Sequence, residues 1–98
     1  MEKSTAHYKL ARVRALIDER RIVFTTAASQ GYRAMSISRR EAVELVERLA
    51  PADFYKSMTT YADHRIWQDV YHPRTPYGSL YVNLTVESEA LVVSFKVK

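Results

Sequence analysis

The sequence predicts one α+β domain, in which N-terminal helices pack on a mainly antiparallel C-terminal β-sheet. Residues 1–50 carry apolar positions at helical spacing, whereas residues 51–98 carry alternating β-branched and aromatic residues. The connections between the later segments are short, which favours antiparallel pairing. A length of 98 residues with 47% hydrophobic content supports a single core. We therefore assign residues 1–98 to one domain.

A first helix is predicted over residues 6–20, because its apolar positions fall on one stripe with charged side chains on the other faces. The members of this stripe are Leu10, Val13, Leu16 and Ile17. Ser4 or Thr5 can cap the helix start, since a hydroxyl oxygen accepts a hydrogen bond from a free backbone N–H. Residues 22–26 are mostly β-branched and are predicted to form a short strand.

Two further helical segments are predicted before the sheet. Residues 27–33 are predicted to form one or two helical turns that stop at Gly31 or shortly after it. Ser38 and Glu41 have the spacing of a capping box, so a longer helix is predicted from Ser38 to about Leu49. Pro51 ends this helix, because the residue before a proline is pushed out of the helical conformation.

Four strands are predicted in the C-terminal half, at residues 54–60, 65–71, 79–85 and 90–97. Apolar and polar residues alternate in the last two, so Tyr81 and Lys96 lie opposite the apolar rows of their strands. We expect both on the sheet face that carries no helices. Alternation does not decide the face of Lys56 or Gln68, because each alternates with apolar residues. Their strands are either bulged or buried on both sides.

The basic residues are concentrated in the N-terminal half. The formal net charge is +4, and residues 1–50 contain 10 basic and 6 acidic residues against 5 and 5 in residues 51–98. A basic surface favours a polyanionic partner, because each neutralised phosphate releases counterions. A solvated helix surface explains the same charges equally well. Arg39 and Arg40 oppose the dipole of the helix they begin, so they are either tolerated at the surface or held for an anionic partner.

Several classes of protein are disfavoured by what the sequence lacks. There is no cysteine, hence no disulfide or thiolate chemistry. No apolar run reaches the roughly 18 residues of a membrane span, and the N-terminus has no apolar signal region. We therefore expect a cytoplasmic protein without membrane contact. The three histidines lack metal-ligand spacing, so neither a metal site nor another cofactor is expected.

Lysine, tyrosine, glutamine, arginine and histidine on a sheet can cleave RNA without a metal. The 2′-hydroxyl attacks its own phosphate, so one proton is accepted, one is donated to the leaving 5′-oxygen, and the phosphorane charge is stabilised. Lysines can supply the charge, and a tyrosine or a lysine of lowered pKa can move protons. Exposed aromatic rings can stack on unpaired bases. The alternative is that Tyr81 and Lys96 are ordinary solvent-facing strand residues.

Three parts of the chain carry a family resemblance. They are DFYKSMTTYADHRIWQDVY at residues 53–71 with the Pro-containing loop and Tyr81 that follow, LVVSFKVK at residues 91–98, and MEKSTAHYKL at residues 1–10. Together they resemble the MqsR (motility quorum-sensing regulator) toxins of toxin–antitoxin systems. The resemblance implies a RelE-like two-layer fold. It also implies an antitoxin partner of the MqsA type, a zinc-containing DNA-binding protein.

The activity implied by the resemblance is that of an mRNA interferase, a ribosome-independent endoribonuclease that cuts single-stranded mRNA at GCU-type sites. The implied reaction needs no metal and leaves 2′,3′-cyclic phosphate and 5′-hydroxyl ends. The implied catalytic residues are Lys56, Gln68, Tyr81 and Lys96. The residues expected to contact RNA are Tyr55, Met58, His72 and Arg74. His72 replaces an arginine of some members, for which Arg74 is a candidate to compensate. The alternative function is a non-catalytic RelE-like module that acts with an antitoxin in transcriptional autoregulation.

Overall fold

The computed structural model describes residues 1–98 and has the predicted α+β architecture. The helices are α1 (Leu10–Asp18), α2 (Thr26–Ala34) and α3 (Arg39–Glu47), and a 3₁₀ turn spans Pro51–Asp53. The strands are β1 (Glu2–Lys3), β2 (Ile22–Phe24), β3 (Phe54–Thr59), β4 (Trp67–Tyr71), β5 (Arg74–Thr75), β6 (Gly78–Glu87) and β7 (Ala90–Val97). None of the helices is both long enough and apolar enough to cross a membrane.

The sheet order is β1-β3-β4-β6-β7-β2, with β5 paired to the start of β6. The four strands predicted from the C-terminal half form its antiparallel centre, as expected from their short connections. Two edge features were not predicted. Strand β1 pairs antiparallel with β3, and β2 pairs parallel with β7. Helix α1 therefore connects two strands that lie at opposite edges of one sheet.

One face of the sheet packs on the helices and forms the core. Alternation places Leu80, Val82 and Leu84 of β6 in this core, at 0%, 3% and 0% exposed. The helices also contribute to this core: Val13, Leu16 and Ile17 come from the predicted stripe of α1, and Ala42 and Val46 come from α3. Alternation along β7 also predicts Val97 on the apolar row, but it lies at the end of the strand, is 60% exposed and does not join the core. The opposite face of the sheet has no helix on it.

The predicted start of α3 is confirmed, whereas α2 extends further than predicted. Ser38 Oγ accepts the Glu41 N–H at 3.1 Å, and Glu41 Oε1 accepts the Ser38 N–H at 3.1 Å. Helix α2 continues past Gly31 to Ala34, so Gly31 itself does not end the helix. A Cβ atom at Gly31 would lie 3.5 Å from the Phe95 carbonyl oxygen, which is an ordinary van der Waals distance.

The first helix begins later than predicted, because Asp69 holds the preceding backbone in another conformation. The Asp69 carboxylate is fully buried and accepts the N–H of His7 at 3.0 Å and of Tyr8 at 2.8 Å. Helix α1 therefore starts after Lys9, which makes no side-chain capping bond, and the predicted cap at Ser4 or Thr5 is wrong. A buried carboxylate requires such donors, since burying an unpaired charge is costly.

Replacing Asp69 with asparagine tests the contribution of the two hydrogen bonds that its carboxylate accepts, which we call the Asp69 clamp. We expect the Asp69→Asn variant to lose about 2–4 kcal/mol of unfolding free energy, because an amide NH₂ then faces a backbone N–H inside the protein. Urea denaturation measures the loss as a lower midpoint at an unchanged slope. The exposed Asp18→Asn variant is the matched control and should stay close to wild type. Equal midpoints for Asp69→Asn and wild type would contradict the clamp.

Candidate active site on the open face of the sheet

A β-bulge at the start of β3 decides which side chains reach the open face. Phe54 pairs with Tyr71 and Lys56 pairs with Val70, so two steps along β3 match one step along β4. The extra residue, Tyr55, inverts the alternation. Phe54 consequently packs against the core and Lys56 points to the other face. The bulge resolves the ambiguity that alternation alone leaves for Lys56.

The open face contains a shallow groove of about 320 Å³ across β3, β4, β6 and β7. Its lining combines cationic, phenolic, imidazole and amide side chains. The lining residues are Tyr55, Lys56, Met58, Val70, His72, Tyr81, Asn83 and Lys96. The groove thus collects three of the four expected catalytic residues and three of the four expected to contact RNA.

Positive charge surrounds the Tyr81 ring. Tyr81 and Lys96 are direct cross-strand partners on β6 and β7. The Nζ atoms of Lys96 and Lys98 each lie 5.7 Å from the centroid of this ring, within the range of a cation–π contact. A phosphate that enters the groove beside Tyr81 therefore meets ammonium groups and a phenolic O–H together.

Lys56 supplies a further cation on the other side of the groove. Its Nζ donates a hydrogen bond to Glu2 Oε1 at 2.6 Å, and this bond raises the pKa of Lys56 above its ordinary value. Lys56 is therefore protonated at neutral pH in the free protein. Such a group suits charge stabilisation rather than proton abstraction.

His72 is held between two tyrosine rings. It stacks on Tyr55, with centroids 4.4 Å apart and planes at 21°, and meets Tyr81 edge to face at 4.6 Å. Its Nε2 atom is buried without a hydrogen-bond partner. Burial, and secondarily the Lys98 ammonium, lower the pKa of His72 below 6.5. The groove therefore carries a neutral imidazole at pH 7.

Two expected site residues lie outside the groove. Gln68 pairs with Met58 on the neighbouring strand but does not line the groove. Arg74 is exposed on β5, opposite Ser79, and does not line it either. Conversely, Asn83 lines the groove but was not predicted as a site residue. Its position two residues after Tyr81 in an alternating strand could have indicated it.

Arg39 and Arg40, the two arginines at the start of α3, both contact other groups of the protein. Arg39 donates to the Ile22 carbonyl at 3.2 Å and lies 5.5 Å from the Phe24 ring centroid. Arg40 makes a long 3.9 Å ion pair with Glu44. These contacts favour the surface interpretation of the two arginines over an anion site. No group of three or more His, Asp or Glu side chains has the arrangement of a metal site.

Comparison with known proteins identifies the family. A sequence model described as "Motility quorum-sensing regulator, toxin of MqsA" matches residues 5–97, nearly the whole chain. The chain belongs to the MqsR toxin family. It is also 41% identical to the mRNA interferase toxin MqsR of Escherichia coli (strain K12), over 98 residues that cover the full length of both proteins. The family resemblance drawn from the sequence is confirmed.

The half-buried imidazole of His72 makes a testable contribution to acid sensitivity. Because its folded-state pKa lies below the 6.5 of an ordinary histidine, the unfolded chain binds this proton first. The contribution of His72 to the free energy of unfolding should therefore be constant above about pH 6.5 and should fall as the pH drops from there through the folded-state pKa. We expect a His72→Phe variant, which keeps a stacked ring, to lose less stability than wild type between pH 7 and 5. Parallel pH profiles from urea denaturation would contradict the assignment.

Proposed function

We propose that this chain is the toxin of a toxin–antitoxin pair and acts as an endoribonuclease on single-stranded mRNA. The observation that carries the proposal is the groove in which Lys56, Tyr81 and Lys96 converge on one rigid sheet face. The family description and the name of the 41% identical relative point to the same activity. A plain structural sheet face has no need for cations and a phenol around one depression.

The proposed reaction is an internal transesterification of RNA. The 2′-oxygen forms a bond to the adjacent phosphorus, and the bond from phosphorus to the 5′-oxygen of the next nucleotide breaks. The 2′-hydroxyl loses a proton to a base, and the leaving 5′-oxygen gains a proton. The products are a 2′,3′-cyclic phosphate and a 5′-hydroxyl. Both ends are formed without an external nucleophile, so the protein has to position the phosphate, stabilise its charge and move two protons.

The expected site residues supply three of these functions, namely positioning, charge stabilisation and the proton for the leaving oxygen. The ammonium groups of Lys56 and Lys96 neutralise the scissile phosphate, where negative charge increases in the transition state. The Tyr81 phenol donates a proton or a hydrogen bond to the leaving 5′-oxygen, because a phenolic O–H is a donor. Gln68 on β4 lies directly opposite Met58 on β3. Its side-chain amide orients a neighbouring phosphate oxygen or base.

RNA is held by stacking and by charge. Tyr55 is 55% exposed, so its ring can stack on an unpaired base from the side opposite His72. Met58 and His72 line the same groove and pack against that nucleotide. Arg74, at the open end of β5, contacts a phosphate farther along the strand. Single-stranded RNA suits this face, because stacking requires bases that are not paired.

The finer properties follow from the family resemblance and are part of the proposal. Cleavage prefers GCU-type sites, does not require the ribosome and does not require a metal ion. The partner that neutralises the toxin is an antitoxin of the MqsA type, which contains zinc and binds DNA. The substrate and this partner place the protein in the cytoplasm.

A cleavage assay in excess EDTA tests the proposal. The substrate is an unstructured RNA with several GCU sites. We expect wild type to cut at these sites, and we expect Lys56→Ala and Lys96→Ala to lose at least about 100-fold in rate, because each removes transition-state charge stabilisation. Tyr81→Phe should slow cleavage by about 100-fold through loss of proton donation. The exposed Lys9→Ala is the matched control and should cleave normally.

Three results would overturn parts of the proposal. If folded wild type binds the RNA without cutting it, the chain is a non-catalytic module that works with an antitoxin in transcriptional autoregulation. If both lysine variants cleave like wild type, the chain is a nuclease whose active site lies elsewhere. Rapid cleavage by Tyr81→Phe with an unchanged pH profile would remove Tyr81 as the donor.

A further inference from the structure

Strand β1 brings an acidic residue to the edge of the groove. It has only two residues, and its backbone is fixed to β3 by antiparallel pairing of Glu2 with Met58 and Lys3 with Ser57. The Thr59 N–H also donates to the Met1 carbonyl at 2.9 Å. Adjacent residues of a strand point to opposite faces. Glu2 therefore shares the face of Met58, which lines the groove.

Lys3 holds the other face of β1 in place. Its Nζ lies 4.2 Å from the Trp67 ring centroid and 2.9 Å from His7 Nδ1. His7 is in turn fixed by the bond between its N–H and Asp69. These contacts anchor the N-terminal segment to β4, so the position of Glu2 does not depend on its own side chain.

Glu2 contacts the one groove lysine that lies on β3. Its Oε1 atom accepts a hydrogen bond from Lys56 Nζ at 2.6 Å, in a pair whose side chains are 58% and 30% exposed. An ammonium has three N–H donors, so this bond leaves two for a phosphate. A lysine side chain has a long flexible stem, and ordering it costs conformational entropy. The ion pair imposes that order before RNA binds.

We infer that Glu2 is a positioning residue, which holds the Lys56 ammonium over the groove so that its free N–H groups meet the scissile phosphate. The inference rests on the proposed function, because it assigns Lys56 to charge stabilisation during RNA cleavage. Glu2 itself does not touch the reacting atoms. Its carboxylate acts through Lys56 alone, by ordering the ammonium group.

A positioning role for Glu2 can be distinguished from a purely electrostatic effect of its charge on RNA binding. A carboxylate at the edge of a groove repels a polyanion, so removing its charge should leave RNA affinity unchanged or increase it. Loss of positioning should instead slow the chemical step at saturating RNA, since misplaced catalytic groups lower the rate. The rate is therefore expected to fall without any loss of affinity.

The experiment compares Glu2→Gln with the matched control Glu47→Gln, an exposed glutamate on α3 with the same charge change. Single-turnover cleavage is measured in EDTA at saturating RNA. Affinity is measured with the same RNA carrying a 2′-O-methyl group at the cleavage site. We expect Glu2→Gln to cleave about fivefold more slowly, with equal or tighter binding. Glu2→Asp, which keeps the charge on a shorter side chain, should recover part of the rate. Glu47→Gln should match wild type.

The contrary outcomes are distinct. A Glu2→Gln rate equal to or above wild type, with Lys56→Ala inactive in the same assay, would overturn the role of Glu2 and leave the proposed function intact. A slower Glu2→Gln that also binds RNA weakly and unfolds at a lower temperature would assign Glu2 to holding β1 in place instead. If Lys56→Ala itself cleaves at the wild-type rate, the proposed site is wrong and the role of Glu2 falls with it.

Discussion

The alternation of side chains along β3 is the constraint on which the site depends. A regular strand would place Phe54 and Lys56 on the same face, although one belongs in the apolar core and the other in the polar groove. The bulge at Tyr55 removes this conflict by adding one residue between them. The same residue becomes the exposed ring that stacks on His72. One irregularity therefore satisfies the core, turns a lysine to the open face and provides an aromatic surface beside it.

The buried Asp69 carboxylate connects this sheet to the N-terminal segment. It accepts hydrogen bonds from the backbone N–H groups of His7 and Tyr8, so α1 begins only at Leu10 and the preceding residues are held against β4. Strand β1 is thereby kept at the edge of β3, where Glu2 reaches Lys56. The core face and the open face of the sheet are thus connected through the N-terminal segment that carries β1. A polar contact inside the protein determines the position of a charged contact on its surface.

Local sequence patterns predicted the local parts of this structure. The capping box at Ser38, the central antiparallel strands and the open-face positions of Tyr81 and Lys96 all follow from short-range rules. The long-range parts were not predictable in this way. The pairing of β1 with β3 and the bond from Asp69 to His7 join residues more than 50 positions apart, and no local pattern marks them. The bulge was predictable only in part. The sequence shows that Lys56 alternates with apolar residues, but it does not show whether a bulge or burial on both sides explains this.

The most direct test of the account is to map where RNA binds on the folded protein. The measurement is backbone-amide NMR of wild type titrated with an unstructured RNA that carries a 2′-O-methyl group at the cleavage site. We expect the largest shift changes at groove residues such as Tyr55, Tyr81 and Lys96, with small changes across the three helices. Shift changes concentrated around Arg20, Arg39 and Arg40, with the groove unaffected, would contradict the account and place RNA on the helical layer.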